Sequence, residues 1–383
     1  MPRDREAFLL WALTLVAFVM ALNANVMGPL YPFLGPELAI DEEKMGYLLA
    51  APNLAAAIAA LVVGPLADRR GRRAPLLVGL ALFVVASGLH LVPCSYPVLL
   101  ALRALTGFVA GIAFTCASTV VTDLVPYHRL GKASGIFSSG LFFAVAVGLP
   151  VASELGNRGI WRYVFGAQAV LGCLALIACR GLPRQGKTAG QQKVTIGSVL
   201  AQPFVLPALV AVLLAVGAFF SIVQFSGRWL DVEQLVQKSQ QKWLWSSLGL
   251  CSAIGSLAIT PLADRMGKRN FVLLSAVIMM ALLIALARVR TFEGLVLIGL
   301  PLALVGAART GATQALVSNL VPMHMRGTLM GVRSCAVTLG MALCSLAGGW
   351  IVEVRGYPFW LWCAAAITLG SYALIRFFVS RDQ

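Results

Sequence analysis

Long uncharged stretches recur along this chain, parted by short gaps that hold most of its charge, and no other feature restricts its folding as strongly. A bilayer core of about 30 Å takes roughly 20 apolar residues to cross as a helix. Inside that core every backbone N–H and C=O must be satisfied by the protein itself, which leaves helices and closed barrels as spanning structures. Barrel strands alternate polar and apolar residues over segments of about ten, whereas these stretches are continuously apolar and longer. With 59% of residues hydrophobic and 12% charged, the chain is also too apolar for a soluble domain of its size. An all-α membrane protein is therefore expected. Its twelve transmembrane helices should lie near 8–35, 44–66, 74–93, 97–123, 131–154 and 161–182, then 203–228, 241–264, 271–289, 294–321, 327–352 and 359–380.

Arg3 and Arg5 precede the first stretch as they would in a signal peptide. That stretch is too long for a signal and no convincing cleavage site follows, so it is expected to stay in the mature protein. The net charge of +15 invites a nucleic-acid reading, which the placement of the basic residues makes unnecessary. With the amino terminus inside, the inner segments hold 18 of the 30 Lys and Arg and the outer segments hold 9. That excess is the bias that orients membrane spans. The expectation is a monomeric multi-pass protein of the cell (inner) membrane, surrounded by the lipid bilayer, with both termini cytoplasmic and no nucleic-acid partner. Eight cysteines are scattered, nearly all within spans and without ligand spacing, so they are expected to pack, with no metal site and no cofactor. The tryptophans lie mostly near span ends, where anchoring at the membrane interface is their default role.

Residues 64–73, GPLADRRGRR, return as TPLADRMGKR at 260–269, and residues 121–135, VTDLVPYHRLGKASG, return as VSNLVPMHMRGTLMG at 317–331. Both matches are displaced by 196 positions, which makes the halves duplicates. The expected division is a six-helix bundle over 1–182, a polar and basic cytoplasmic linker over 183–202, and a second six-helix bundle over 203–383. In transporters, duplication of this kind puts the solute at the interface of the repeats near the bilayer midplane, and one half rocks on the other.

The loop between spans 2 and 3, with Gly64, Asp68, Gly71, Arg72 and Arg73, resembles the signature loop of the major facilitator superfamily. It recurs in the second half as Asp264, Gly267, Lys268 and Arg269, with Thr260 in place of the first glycine. Arg103 with Gly107 and Gly111 in span 4, and Gly159, Trp161, Arg162 and Phe165 at the start of span 6, are similar to the drug/proton antiporter branch. The resemblance implies the major facilitator fold, two pseudo-symmetric six-helix bundles. It implies secondary transport of a small-molecule substrate by alternating access, in this branch as efflux coupled to protons.

The loop residues also have physical reasons of their own. Gly64 lets its helix approach a neighbour closely. Asp68 lies at the cytoplasmic rim, where a helix N-terminus would stabilise its charge; the resemblance implies helix 11. Arg72 can pair with Asp123 at the end of span 4. With Gly71 and the repeated Asp264 and Lys268, these residues form an expected latch on the cytoplasmic side. Asn319 stands where the repeat would put a second Asp123, so the latch should be asymmetric.

An ionisable residue within a membrane helix is costly and is a functional candidate by default. Arg103 shares a stripe with Gly107 and Gly111, which would let a neighbouring backbone approach and its carbonyls accept hydrogen bonds. Arg309, beside Thr310, Thr313 and Gln314, is the leading candidate for contact with solute. Arg333 lies close to the start of span 11 and can snorkel to the interface. Asn23, Asn25, Asn53, Thr115, Thr119, Gln224 and Gln314 are further polar candidates for lining a central cavity.

No Asp or Glu falls in the middle of any expected span. Span 1 carries LNANVMGPLYP, similar to a family pattern that has Asp where this chain has Asn23. An amide cannot change protonation as a coupling carboxylate must, so proton candidates reduce to Glu154 and then Glu37. Intramembrane cations without central anions favour a negatively charged or strongly polar solute, and uniport or uptake of an organic anion is the alternative to efflux. An enzyme is disfavoured, since His90, His128 and His324 are the only histidines and neither HExxH nor GxSxG occurs. A sensor or receptor derived from the transporter fold would usually carry an added output domain or a long tail.

Overall fold

The computed structural model describes residues 3–38, 40–124, 130–183, 195–232, 238–260, 262–318, 320–322 and 325–379. The first apolar stretch is two helices, α1 (Arg3–Asn25) and α2 (Met27–Leu38), parted by a turn at Val26. Pro29 explains the break, because it has no N–H to give to the Asn25 carbonyl one turn earlier. There follow α3 (Glu42–Arg70), α4 (Arg73–Leu89) and α5 (Tyr96–Leu124). Asp41 caps α3 by accepting from the Lys44 N–H at 2.7 Å. Gly71, at φ +80°, makes the sharp turn into α4 that a side chain would strain.

Expected span 5 is α6 (Leu130–Phe143), a π-helical turn over Ala144–Gly148, and α7 (Leu149–Asn157), and span 6 is α8 (Tyr163–Cys179). Within the expected linker, α9 (Ile196–Leu200) is helical rather than open chain. Thr195 and Ser198 cap it reciprocally at 3.2 Å, and Val199 is wholly buried in the core of the second half.

The second half begins with α10 (Val205–Val232). Next come α11 (Lys238–Ile254), a π-helical turn over Gly255–Ile259 and α12 (Leu262–Met266). The rest is α13 (Lys268–Leu286), α14 (Phe292–Ser318), α15 (Arg326–Arg355) and α16 (Tyr357–Phe378). Gly267, at φ +82°, repeats the turn of Gly71. Nine helices among the described residues are long and apolar enough to cross a membrane. Three shorter apolar ones, Arg73–Leu89, Tyr163–Cys179 and Trp243–Ile259, stand where spans 3, 6 and 8 are expected.

Helix pairings in the first half return in the second. α1 packs on α6 and α8 as α10 packs on α15 and α16, and α4 lies on α5 and α8 as α13 lies on α14 and α16. Likewise α3 pairs with α5 as α11 pairs with α14. Between the halves α3 runs along α15, α2 meets α10, and α11 meets α6, α7 and the π turn between them. Glycine makes these crossings close. A Cβ on Gly28 would lie 2.7 Å from the Gln224 carbonyl oxygen, and one on Gly249 would collide with the backbone of Ala146.

The two ends of the molecule are packed differently. At the end remote from the termini, one apolar core takes Leu30, Met45 and Trp161 from the first half together with Trp229, Trp245 and Trp360 from the second. Toward the termini, the described residues form two cores, one around Leu13, Phe83 and Ala117 and the other around Val205, Val272 and Leu329. Large apolar side chains such as Val85, Ile177, Leu297 and Phe377 point outward, as a surface facing lipid requires.

Candidate solute site

Arg103 is completely buried on α5, where a charge is tolerated only with several hydrogen-bond partners. It finds them on α1, donating to Asn23 Oδ1 at 2.8 Å and to the Asn23 carbonyl at 2.7 Å. The glycine stripe does bring a neighbouring backbone close, since a Cβ on Gly107 would collide with Pro52 and one on Gly111 would stand 2.7 Å from the Ala56 carbonyl oxygen, both on α3. The guanidinium, however, turns to α1 rather than to those α3 carbonyls. The turn at Val26 between α1 and α2 lies just beyond Asn23, and Asn25 uses its amide on its own helix, donating to the Ala21 carbonyl at 2.8 Å.

Arg309 on α14 is buried inside the second half. It donates to Ser371 Oγ on α16 at 2.9 Å and touches Met279 Sδ on α13 at 3.8 Å, while Ser371 in turn donates to the Ala211 carbonyl on α10 at 2.8 Å. Its Nε has no partner among the described residues. A cavity of about 10 Å³ adjoins it, lined by Phe219, Gly306, Thr310 and Thr313. The structure therefore gathers Asn23 with Arg103 in one half and Arg309 with Ser371 in the other, and each arginine is bonded within its own half. Gln224 on α10 accepts from Ser345 on α15 at 2.6 Å, and its Nε2 is unpartnered among the described residues. Thr115 is buried on α5, and Gln314 is half-buried on α14. The serine and methionine partners escape sequence reading because short polar side chains in spans mostly bond their own helix. Ser221 donating to the Ala218 carbonyl at 2.9 Å is an example.

Both proton candidates sit at the rim remote from the termini. Glu37, just past the first span, accepts from Trp161 Nε1 and from Arg162, each at 2.7 Å. Burial pushes its carboxyl up, but those hydrogen bonds and the guanidinium charge outweigh it and hold the group below its ordinary 4.5. Glu154 pairs with Arg158 one turn along, at 2.9 Å.

Of the expected latch, Gly71 supplies the turn already described, and Arg72 donates to the Thr119 carbonyl on α5 at 3.4 Å. Lys268 is half-buried at the start of α13. The side chains of Asp68, Asp123 and Asp264, the surroundings of Gly64, and Asn319 lie outside the described residues. The tryptophans divide. Trp11, Trp243, Trp350 and Trp362 are exposed as interface anchors would be, whereas Trp161, Trp229, Trp245 and Trp360 are buried. Trp229 and Trp245 line an apolar cavity of about 80 Å³ between α10, α11, α14 and the first π turn. Periodicity at span ends does not separate the two groups; only the packing of the halves does.

Comparison with known proteins places these features in context. The Major Facilitator Superfamily family model matches residues 13–236 and 230–383. The chain is 28% identical to the inner membrane transport protein YdhP of Escherichia coli K12, over 98% of this chain and 96% of that protein. It is 27% identical to the 3-(3-hydroxy-phenyl)propionate transporter of the same strain, over 85% of this chain and 82% of that one. It is also 27% identical to the quinolone resistance protein NorA of Staphylococcus aureus MRSA252, over 52% and 53% of the two chains.

Proposed function

The chain belongs to the major facilitator superfamily, and from that premise we propose that it is a secondary transporter carrying a small organic anion by alternating access. Twelve spans form two six-helix bundles, 1–182 and 203–383, which rock about a common interface with both termini in the cytoplasm. The observation that carries this reading is the unequal packing of the two ends among the described residues: one core shared by both halves at one end and separate cores at the other. A shared apolar core acts as a closed gate, and separate cores leave the halves free to part.

The preference for an anion rests on charge. Arg103 and Arg309 are buried cations whose hydrogen-bond partners among the described residues are an amide, a hydroxyl, a carbonyl and a thioether. None of these neutralises a guanidinium, so a negatively charged solute is favoured over a cationic one in the space between the halves. The likeness to a transporter named for an aromatic carboxylate agrees with this.

A second reading, proton-coupled efflux, is supported by the likeness to NorA over half the chain. It would need a carboxylate that changes protonation during the cycle. Asn23 cannot, and the bonds holding Glu37 ionised disfavour it, which leaves Glu154.

Proteoliposomes with an imposed pH gradient, offered anionic, neutral and cationic organic solutes, test both readings. Anion uptake that ignores the gradient and is abolished by Arg309→Ala is the expected result, and selective movement of lipophilic cations would overturn it. Flux that follows the gradient and is lost in Glu154→Gln would establish the second reading. The Gly64, Asp68, Gly71, Arg72 and Asp123 set, with Asp264 and Lys268, is proposed as the cytoplasmic latch. Asp68→Asn should raise labelling of cysteine probes on that side, and unchanged labelling and transport would remove the latch.

A further inference from the structure

We propose that the crevice between α10 and α15, at the end near the termini, binds an anionic phospholipid, with the headgroup phosphate on Arg333 and an acyl chain along Leu206 and Val210. This rests on the orientation in the reading above, which puts that end in the cytoplasmic leaflet, and it adds a lipid ligand outside the solute site. Of the three arginines expected within spans, Arg103 and Arg309 have hydrogen-bond partners, and Arg333 has none among the described residues. Nor does it snorkel out to the surface, since the residue is only 9% exposed. Of its three nitrogens only Nε is both shut in and unpartnered, so the two terminal ones keep accessible surface. A guanidinium buried this far without a counter-charge is costly.

The register of the two helices shows what Arg333 faces. A Cβ on Gly340 would collide with the Leu213 carbonyl, and one on Gly217 with the Gly340 carbonyl and Cys344 Sγ. Both helices start at the end near the termini, and Leu213 with Gly340 and Gly217 with Cys344 are pairs displaced by the same 127 positions. Steps of three and four residues stay on one helix face. Followed toward the termini, that face carries Val210 and Leu206 on α10 and, at the same displacement, Val337 and Arg333 on α15. Along α10 it opens stepwise: Gly217 is buried, Leu213 half-buried, Val210 39% exposed and Leu206 56% exposed. The helices therefore part as they near that end, and the gap between them has an aliphatic wall and a cation opposite it.

Nothing on the surrounding helices of this half answers that charge. Both α9 and α16 pack on α10 and on α15, and neither contains Asp or Glu. The acidic residues of α10 and α15 themselves, Asp231 and Glu353, lie at the opposite end. A phosphate accepts two parallel N–H bonds from a guanidinium, and the cytoplasmic leaflet supplies anionic headgroups to basic pockets between helices. A dissolved anion would pair with Arg333 and leave Leu206 and Val210 uncovered, whereas a phospholipid covers both the cation and the apolar wall. Across the halves α10 meets α2 and α15 runs along α3, so a lipid wedged here sets the spacing of two helices by which the second half meets the first.

The test is native mass spectrometry of the delipidated full-length protein titrated with dioleoylphosphatidylglycerol and dioleoylphosphatidylcholine, which share acyl chains and a phosphate and differ in net charge. The anionic lipid should bind at least about tenfold more tightly, and Arg333→Gln should remove that preference. Arg376→Gln, at an exposed cation of the same end, should leave it unchanged. Without lipid, Arg333→Gln should unfold at a higher temperature than the wild type, and added phosphatidylglycerol should reverse that order. Should this variant fail to fold, Val210→Trp fills the crevice while keeping the cation and should weaken the anionic lipid about tenfold. Equal affinity of the wild type for the two lipids, or a preference that survives a folded variant at Arg333 or Val210, would overturn the proposal. So would an equal loss in Arg376→Gln, which would show diffuse rim charge, or displacement of the lipid by millimolar sodium phosphate, which would show a site for a free anion. Wild-type proteoliposomes that move solute while any of these holds would leave the transport reading standing. Binding that depends on Arg333 in a protein that moves no solute would remove the transport reading alone.

Discussion

Arg73 donates a 2.6 Å hydrogen bond to the main-chain carbonyl of Arg180, tying the start of α4 to the end of α8. Displaced by the same 196 positions, Arg269 donates to the carbonyl of Arg376 at 2.6 Å and adds a second bond to that of Val379 at 2.7 Å. In each half a cation from the signature loop meets the unsatisfied carbonyls that end the last helix, where a positive charge is stabilising. The duplication seen in the sequence is thus repeated at the level of single hydrogen bonds. It gives these two loop arginines a task separate from any latch, that of closing each half upon itself.

The two clamps differ in burial, since Arg269 is buried and the Arg73 bond is exposed. Arg269→Ala should lower stability in detergent by about 2 kcal/mol, from the loss of two charge-assisted bonds, and Arg73→Ala by about 1 kcal/mol or less. Thermal denaturation of the two variants checks the order. Equal losses would mean that burial does not strengthen the second clamp.

Removing the acceptor from Arg103 is predicted to hurt less than removing the charge. Asn23→Ala keeps the main-chain acceptor and should cost about 2 kcal/mol, measurable as a fall in thermal midpoint. Asn23→Asp places a titratable group beside the guanidinium, and solute flux in that variant should acquire a dependence on pH that the wild type lacks.

Glu37 is held below its ordinary 4.5, so its contribution to stability is present above that value and is lost as the pH falls through its folded pKa. The difference in thermal midpoint between wild type and Glu37→Gln should therefore stay flat from about pH 6 to 8 and shrink on acidification below the ordinary carboxylate range. A difference that vanished already near neutrality would show a carboxyl that titrates in the working range and would restore it as a proton carrier.

Gly249 on α11 lies against the backbone of Ala146 in the first π turn, with no room for a Cβ. Gly249→Val should leave insertion intact, hold the halves apart at this crossing and reduce solute flux at least about tenfold. By contrast, Gly299→Ala meets nothing nearer than Leu248 at 3.5 Å and should preserve the fold and most of the flux. Reconstituted transport with both variants decides whether close approach at this crossing matters.

The apolar stretches, their order and the 196-residue repeat were legible in the sequence because each follows from lipid as a solvent or from the register of residues alone. So was the inference that Gly107 and Gly111 admit a neighbouring backbone. The partners were not. Arg103 finds Asn23 on α1 and Arg309 finds Ser371 on α16, contacts 80 and 62 positions apart in the chain. Those separations are set by how the helices pair, and a hydroxyl that serves a buried arginine reads no differently from one that bonds its own helix. Trp245 and Trp243 are two positions apart, yet one is 1% exposed and the other 70%. Which side of α11 meets the other half decides that, and the order of residues along α11 does not reveal it.

Each of the two π turns, Ala144–Gly148 and Gly255–Ile259, holds a residue more than an α turn would. They lie on helices that touch across the halves, with Val145 of the first lining the apolar cavity beside Trp229 and Trp245. Returning such a turn to α geometry swings everything beyond it by about 100° and moves it about 1.5 Å along the axis. Either helix can thus present a different row of side chains to its opposite number while its backbone stays bonded throughout, so a change of facing need not wait for any helix to unravel in lipid.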